Sequence, residues 1–158
     1  MTWSVCWPGS DTTSRRPIGS TPASTSVTFW PAPTVTVPVS LVVIHNISLP
    51  PDEFGGDWVE DFFLNRLDST VNPYFATIFE MQVSAHFYVR RDGRVIQFVG
   101  CNQRAWHAGQ SQWCGRDRCN DFSVGVELEG TDEVPFEDAQ YARLAAVARA
   151  LAAKYPGI

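Results

Sequence analysis

The stretch FSVGVEL, residues 122–128, decides the fold. Its alternation puts Phe122, Val124, Val126 and Leu128 on one face and Ser123, Gly125 and Glu127 on the other, the period of a strand. The apolar face has to be covered, and the polar face has to look at solvent or at a cleft. Gly125, beside Glu127, leaves room there for a close approach. Glu129 continues the alternation, so two acids point the same way. They read either as a general base with a supporting group or as an ordinary polar outer face.

Working outward, residues 41–46 read LVVIHN, an apolar β-branched run expected to be a buried strand. Residues 49–56 carry Pro50, Pro51, Gly55 and Gly56 and read as a loop. Asp57 is a fitting N-cap for a helix to about Leu67, and a second short helical stretch is expected over 73–81. Residues 84–90 and 94–99 alternate around Asp92-Gly93, a strong hairpin signal. Residues 100–121 have no period and are rich in Gly, Gln, Trp and Arg, which marks a long and functional loop. Residues 137–155 read as a helix with Tyr141, Leu144, Ala145, Ala148, Leu151 and Ala152 along one stripe. The pattern is α/β, a mixed central sheet flanked by helices.

Residues 1–38 stand apart. Over residues 10–40, 18 of 31 are Ser, Thr or Pro, and an irregular segment is expected there, followed by one domain from 39 to 158. The net charge of −5 argues against a general nucleic-acid binder. Locally the sign reverses: between Arg90 and Arg118 there are six arginines and two acids, a segment able to hold an anionic substrate or simply a solvated surface. The four cysteines show no C-x-x-C spacing and read as free thiols of a reducing cytosol. The first residues lack the pattern of a signal peptide and no apolar run reaches a membrane span, so a cytoplasmic protein without a membrane partner is expected.

Three histidines remain. His45 ends an apolar strand, where a neutral imidazole suits either a zinc ligand or a half-buried hydrogen-bonded role. His86 and His107 form no metal-ligand spacing with each other or with His45, and spacing alone supports no complete metal site.

Four segments carry a resemblance: SLVVIHNISLPP (40–51) with EFGG (53–56), VSAHFYVRRDG (83–93), RAWHAG (104–109) and RCNDFSVGVELEGT (118–131). Together with Asp138-Ala139-Gln140-Tyr141 they resemble the bacterial 1,6-anhydro-N-acetylmuramyl-L-alanine amidases, over about residues 39–156. The resemblance implies a fold shared with peptidoglycan recognition proteins. It also implies zinc-dependent hydrolysis of the amide between the lactyl group of anhydro-N-acetylmuramic acid and L-alanine, by a monomer acting on a small muropeptide in cytoplasmic cell-wall recycling. By the same match His45 is implied as the first zinc ligand and Glu127 as the catalytic glutamate. Asn46, Trp106 and Arg118 are implied as substrate-binding residues.

The family carries a later segment with a second histidine ligand, a lysine and an aspartate ligand, and this sequence reaches Ile158 before it. Two of three zinc ligands are therefore expected to be missing, with little or no amidase activity and low stability. A peptidoglycan-fragment-binding module of the same fold is the competing expectation. Gln82 stands where the family commonly has an arginine, which weakens the peptide-binding inference.

Overall fold

The structure, a computed structural model, describes residues 32–158 and the backbone of the short strand Thr25–Ser26. In chain order its elements are β1 (Thr25–Ser26), β2 (Leu41–Ile47), α1 (Trp58–Phe63), β3 (Phe87–Val89), β4 (Val95–Gln97), β5 (Gln112–Trp113), β6 (Arg116–Asp117), β7 (Ser123–Glu129) and α2 (Asp138–Lys154). Five strands form one sheet in the order β1-β4-β3-β7-β2. β7 pairs in parallel with β2 and with β3, β3 pairs antiparallel with β4, and β1 pairs in parallel with β4. The expected mixed sheet is present, and Thr25–Ser26 places a piece of the Ser/Thr/Pro-rich segment at its edge. The rest of that segment up to residue 31 lies outside the described residues. The stretch after it is tied down, with Val35 N–H donating to Asn102 O at 3.0 Å and Arg104 N–H to Pro33 O at 2.8 Å.

β7 lies between two strands and is buried along all seven residues. Its polar face is therefore not an outer surface. On the other face Val124, Val126 and Leu128 join Val42, Ile44 and Val89 under Leu144, Val147 and Leu151 of α2. Burying a residue such as Leu151 contributes roughly 1.5–3 kcal/mol. Phe122 departs from the expected alternation: it closes a 3-10 turn with φ −139° and ψ 13°, and packs with Leu41, Val43 and Cys119.

The Asp92-Gly93 hairpin forms as expected. Gly93 takes φ +82°, and the Asp92 carboxylate accepts from Arg94 N–H at 2.8 Å. α1 is shorter than expected because Asn65 turns left-handed at φ +55° and ends it. Asp57 makes no side-chain cap; its carboxylate accepts from Arg90 Nη1 at 3.1 Å instead. Only a 3-10 turn at Phe75–Thr77 stands in the expected helix over 73–81. The loop over 100–121 contains a small hairpin, β5 with β6.

α2 keeps Leu144 and Leu151 of the expected stripe on the sheet but is turned away from Tyr141. Gln140, Leu144, Val147 and Leu151 face the sheet, while Tyr141 is 53% exposed. Glu137 and Gln140 form a capping box at its start. The Gln140 amide also reaches the sheet, donating to Glu129 O at 2.9 Å and Val89 O at 3.2 Å.

Candidate active site

Parallel pairing of β2 with β7 and of β7 with β3 sets His45, Glu127 and Tyr88 in one row across three strands. They lie on the face away from α2. Glu127 is 7% exposed, and its Oε2 is buried without a hydrogen-bond partner. Burial pushes its carboxyl up to about 8. Glu129, two residues on, serves the scaffold: its oxygens accept from Gly55 N–H at 2.5 Å and Arg91 N–H at 2.9 Å. The two acids that alternation sets side by side thus have separate work, one unpartnered and one binding the 53–57 loop.

The loop before β5 brings His107 onto this face. Asn120 Oδ1 accepts from the N–H groups of both His107 and Ala108, at 3.1 and 2.9 Å, and so holds the turn. The ring lies over Gly125, where a Cβ would come within 2.4 Å of its Cγ. The space that Gly125 leaves is filled by this imidazole. His107 Nδ1 is 3.0 Å from His45 Nε2, and His107 Nε2 is 3.2 Å from Ser123 Oγ. Burial, then His45, His86 and Arg104 nearby, push His107 down to about 2; burial also lowers His45.

His86 is fully buried and structural. Its Nδ1 accepts from Gly125 N–H at 2.9 Å, so its Nε2–H donates to Gln103 O at 3.0 Å. Burial holds it down to about 4, against the opposing pull of the Gln103 carbonyl.

Among the other residues singled out in the sequence, Asn46 lies on the opposite pleat from His45 and donates to Asp132 Oδ1 at 2.8 Å. Trp106 is 51% exposed, with the Arg104 guanidinium stacked 3.6 Å from its ring centroid, so it is not a core tryptophan. It borders a cleft of about 350 Å³ shared with Gln82, Val83, Ser84 and Arg104. Arg118 is exposed, in a left-handed conformation at φ +60°, and pairs with Asp121 Oδ2 at 3.0 Å. The basic segment is largely spent internally: Arg90 on Asp57 and Glu60, Arg91 on Glu137, Arg94 on Glu60, Arg104 on Asp121.

A zinc that activates water takes three protein ligands. Among the described residues no group of three His, Cys, Asp or Glu side chains is placed to hold a metal. His45 and His107 face each other at hydrogen-bond distance. The donors among the described residues are therefore too few to complete a hydrolytic zinc site.

The profile of the N-acetylmuramoyl-L-alanine amidase family matches residues 35–158. The chain belongs to that family. The sequence is 56% identical over 119 residues to the 1,6-anhydro-N-acetylmuramyl-L-alanine amidase AmpD of Citrobacter freundii, covering 75% of this chain and 64% of that one. Against the AmpD of Escherichia coli K12 it is again 56% identical, covering 75% and 65%. The chain thus spans just under two thirds of the length of these relatives. Its fold matches a crystal structure of a selenomethionine AmpD derivative with a TM-score of 0.83 at 50% identity, over 85% of this chain and 76% of that one. The mixed sheet with flanking helices is the family's α/β fold.

Proposed function

We propose that this chain carries the substrate cleft and the proton-transfer residue of an amidase that cuts the lactyl–L-alanine amide of anhydro-muropeptides in cytoplasmic cell-wall recycling. The observation that carries this reading is Glu127: a buried carboxyl with an unpartnered oxygen, in register with His45. Amide hydrolysis needs a group that takes a proton from water and returns it to the leaving amine. A carboxyl titrating near 8 does both close to neutral pH. Family membership and the similarity to AmpD name the bond.

In this reading the exposed Trp106, on the rim of its cleft, offers an apolar face to the sugar ring or the peptide. Arg118 and Asn46 are polar contacts for the peptide, and His45 is one ligand of the zinc that the family implies. Because the described residues do not complete a ligand set, no step is assigned to the metal. The same observation favours a second reading, a module that binds muropeptide without cutting it.

Calorimetry with an anhydro-muropeptide, followed by mass spectrometry of the products, tests both. Binding with peptide release near background is expected for the 158-residue chain. Any residual release should vanish in Glu127→Gln. Absence of binding would sink both the amidase and the binding-module readings. Release unaffected by Glu127→Gln would remove Glu127 from its role.

A further inference from the structure

The cleft beside Trp106 is joined to the site by two short stretches of chain. Ser84 N–H donates to Trp106 O at 3.1 Å, and Trp106 N–H donates to Ser84 Oγ at 3.1 Å, which clamps the two stretches together. Two residues beyond Ser84, His86 N–H donates to Gly125 O at 3.0 Å, and one residue beyond Trp106 the His107 ring lies over Gly125. Gly125 shares its face of β7 with Glu127. A ligand whose reacting bond sits at Glu127 therefore has a neighbouring arm directed along these stretches to the cleft.

The chemistry of the cleft is neutral. Pro33, Val83, Val99 and the Trp106 ring make its walls apolar. Arg104 is the only charged residue lining it among the described residues, and that charge is already matched. Its Nε donates to Asp121 Oδ1 at 2.6 Å, its guanidinium lies 3.6 Å from the Trp106 ring centroid, and its Nη1 is buried. Ser84 Oγ accepts from Trp106 and keeps one hydrogen to give. Gln82 is exposed, and its amide has no partner among the described residues, so a donor and an acceptor are both open. An apolar slot with one open amide fits an arm that has an apolar stem and a single polar end. A sugar ring, with hydroxyls around it, would leave several of them unpaired there. A carboxylate entering the slot loses water without meeting a free cation, and Gln82 Oε1 repels it. A carboxamide gives a hydrogen to Gln82 Oε1 and takes one from Nε2. We propose that Gln82 is a specificity-determining residue, and that the Trp106 cleft takes a peptide arm ending in an uncharged carboxamide in preference to the same arm ending in a carboxylate. This deepens the amidase reading and rests on it, since that reading supplies the peptide.

Calorimetry on the full chain tests it, with two anhydro-muropeptides that differ only in one peptide side arm, a carboxylate in one and a carboxamide in the other. The wild type should bind the carboxamide form about three- to tenfold more tightly, the gain of one further hydrogen bond. Gln82→Arg supplies a free cation and should turn the preference toward the carboxylate form. Gln82→Ala should bring the two forms to parity. A merely structural Gln82 would weaken both forms alike and leave their ratio unmoved. Equal binding of the two forms by the wild type, or a ratio unchanged in Gln82→Arg, would overturn the proposal and leave the amidase reading standing. Binding of neither form would overturn the amidase reading and the proposal with it.

Discussion

Glu127 is folded into a place that disfavours its own charge. Its carboxyl titrates near 8 in the folded chain against 4.5 for an ordinary glutamate. Below 4.5 both states hold the proton and the group is neutral to stability. Between 4.5 and 8 the unfolded chain has lost the proton and the folded chain keeps it, so stability falls as pH rises, by roughly a kcal/mol per pH unit. Above 8 the loss is complete. Urea melts of wild type and Glu127→Gln across this range should therefore diverge with rising pH, the variant gaining relative stability; parallel curves would mean an ordinary carboxylate. Gly125 makes a second prediction. A methyl there would overlap the His107 ring, so Gly125→Ala should cost about 1–3 kcal/mol and release the His45–His107 contact, visible in nitrogen-15 spectra of the histidine side chains. Both residues were legible in the sequence, because strict alternation in FSVGVEL sets a glycine and a carboxylate on one face. His107 was not. Its partner His45 is 62 residues away, and no local spacing encodes a contact made by folding a loop onto a strand.

At the scale of elements, β2, β7, the hairpin and α2 followed from periodicity, since each carries a long or well-punctuated pattern. What periodicity misjudged was the angle of α2. Its run of alanines gives several stripes of near-equal apolarity, and the stripe through Tyr141 was as plausible as the true one. The face was decided by Gln140, a polar residue with no exposed surface whose amide binds the carbonyls at the ends of β3 and β7. The missing side-chain cap of α1 has a similar cause. Its expected cap, Asp57, is drawn to Arg90, a partner 33 residues on that local reading cannot supply. Gln140→Ala removes two buried hydrogen bonds to the sheet and should destabilise by about 1–3 kcal/mol in chemical denaturation. Tyr141→Ala, on the exposed side, should change stability by under about 0.5 kcal/mol. A larger effect at Tyr141 than at Gln140 would mean that the helix is turned the other way.

For the whole molecule, the sheet gathers the site from segments far apart in sequence: β2 brings His45, β7 brings Ser123 and Glu127, and the loop before β5 brings His107. This assembly gives a buried carboxyl with an unpartnered oxygen beside a pair of imidazoles in contact, without a closed set of metal donors among the described residues. The energetic consequence is specific. A ligand that binds only the folded chain raises stability in proportion to the logarithm of its concentration over Kd, by about 4 kcal/mol at a thousandfold excess. A three-ligand zinc site of nanomolar affinity would therefore lift the melting temperature of this chain by many degrees at micromolar zinc. One histidine, already hydrogen-bonded to another, should bind zinc far more weakly. Micromolar zinc is thus expected to leave the thermal transition where it lies in excess chelator, and elemental analysis after dialysis should give well under one zinc per chain. A large zinc-dependent rise that disappears in His45→Ala would require donors to converge on His45 in solution. The His45–His107 hydrogen bond would then be the contact that gives way.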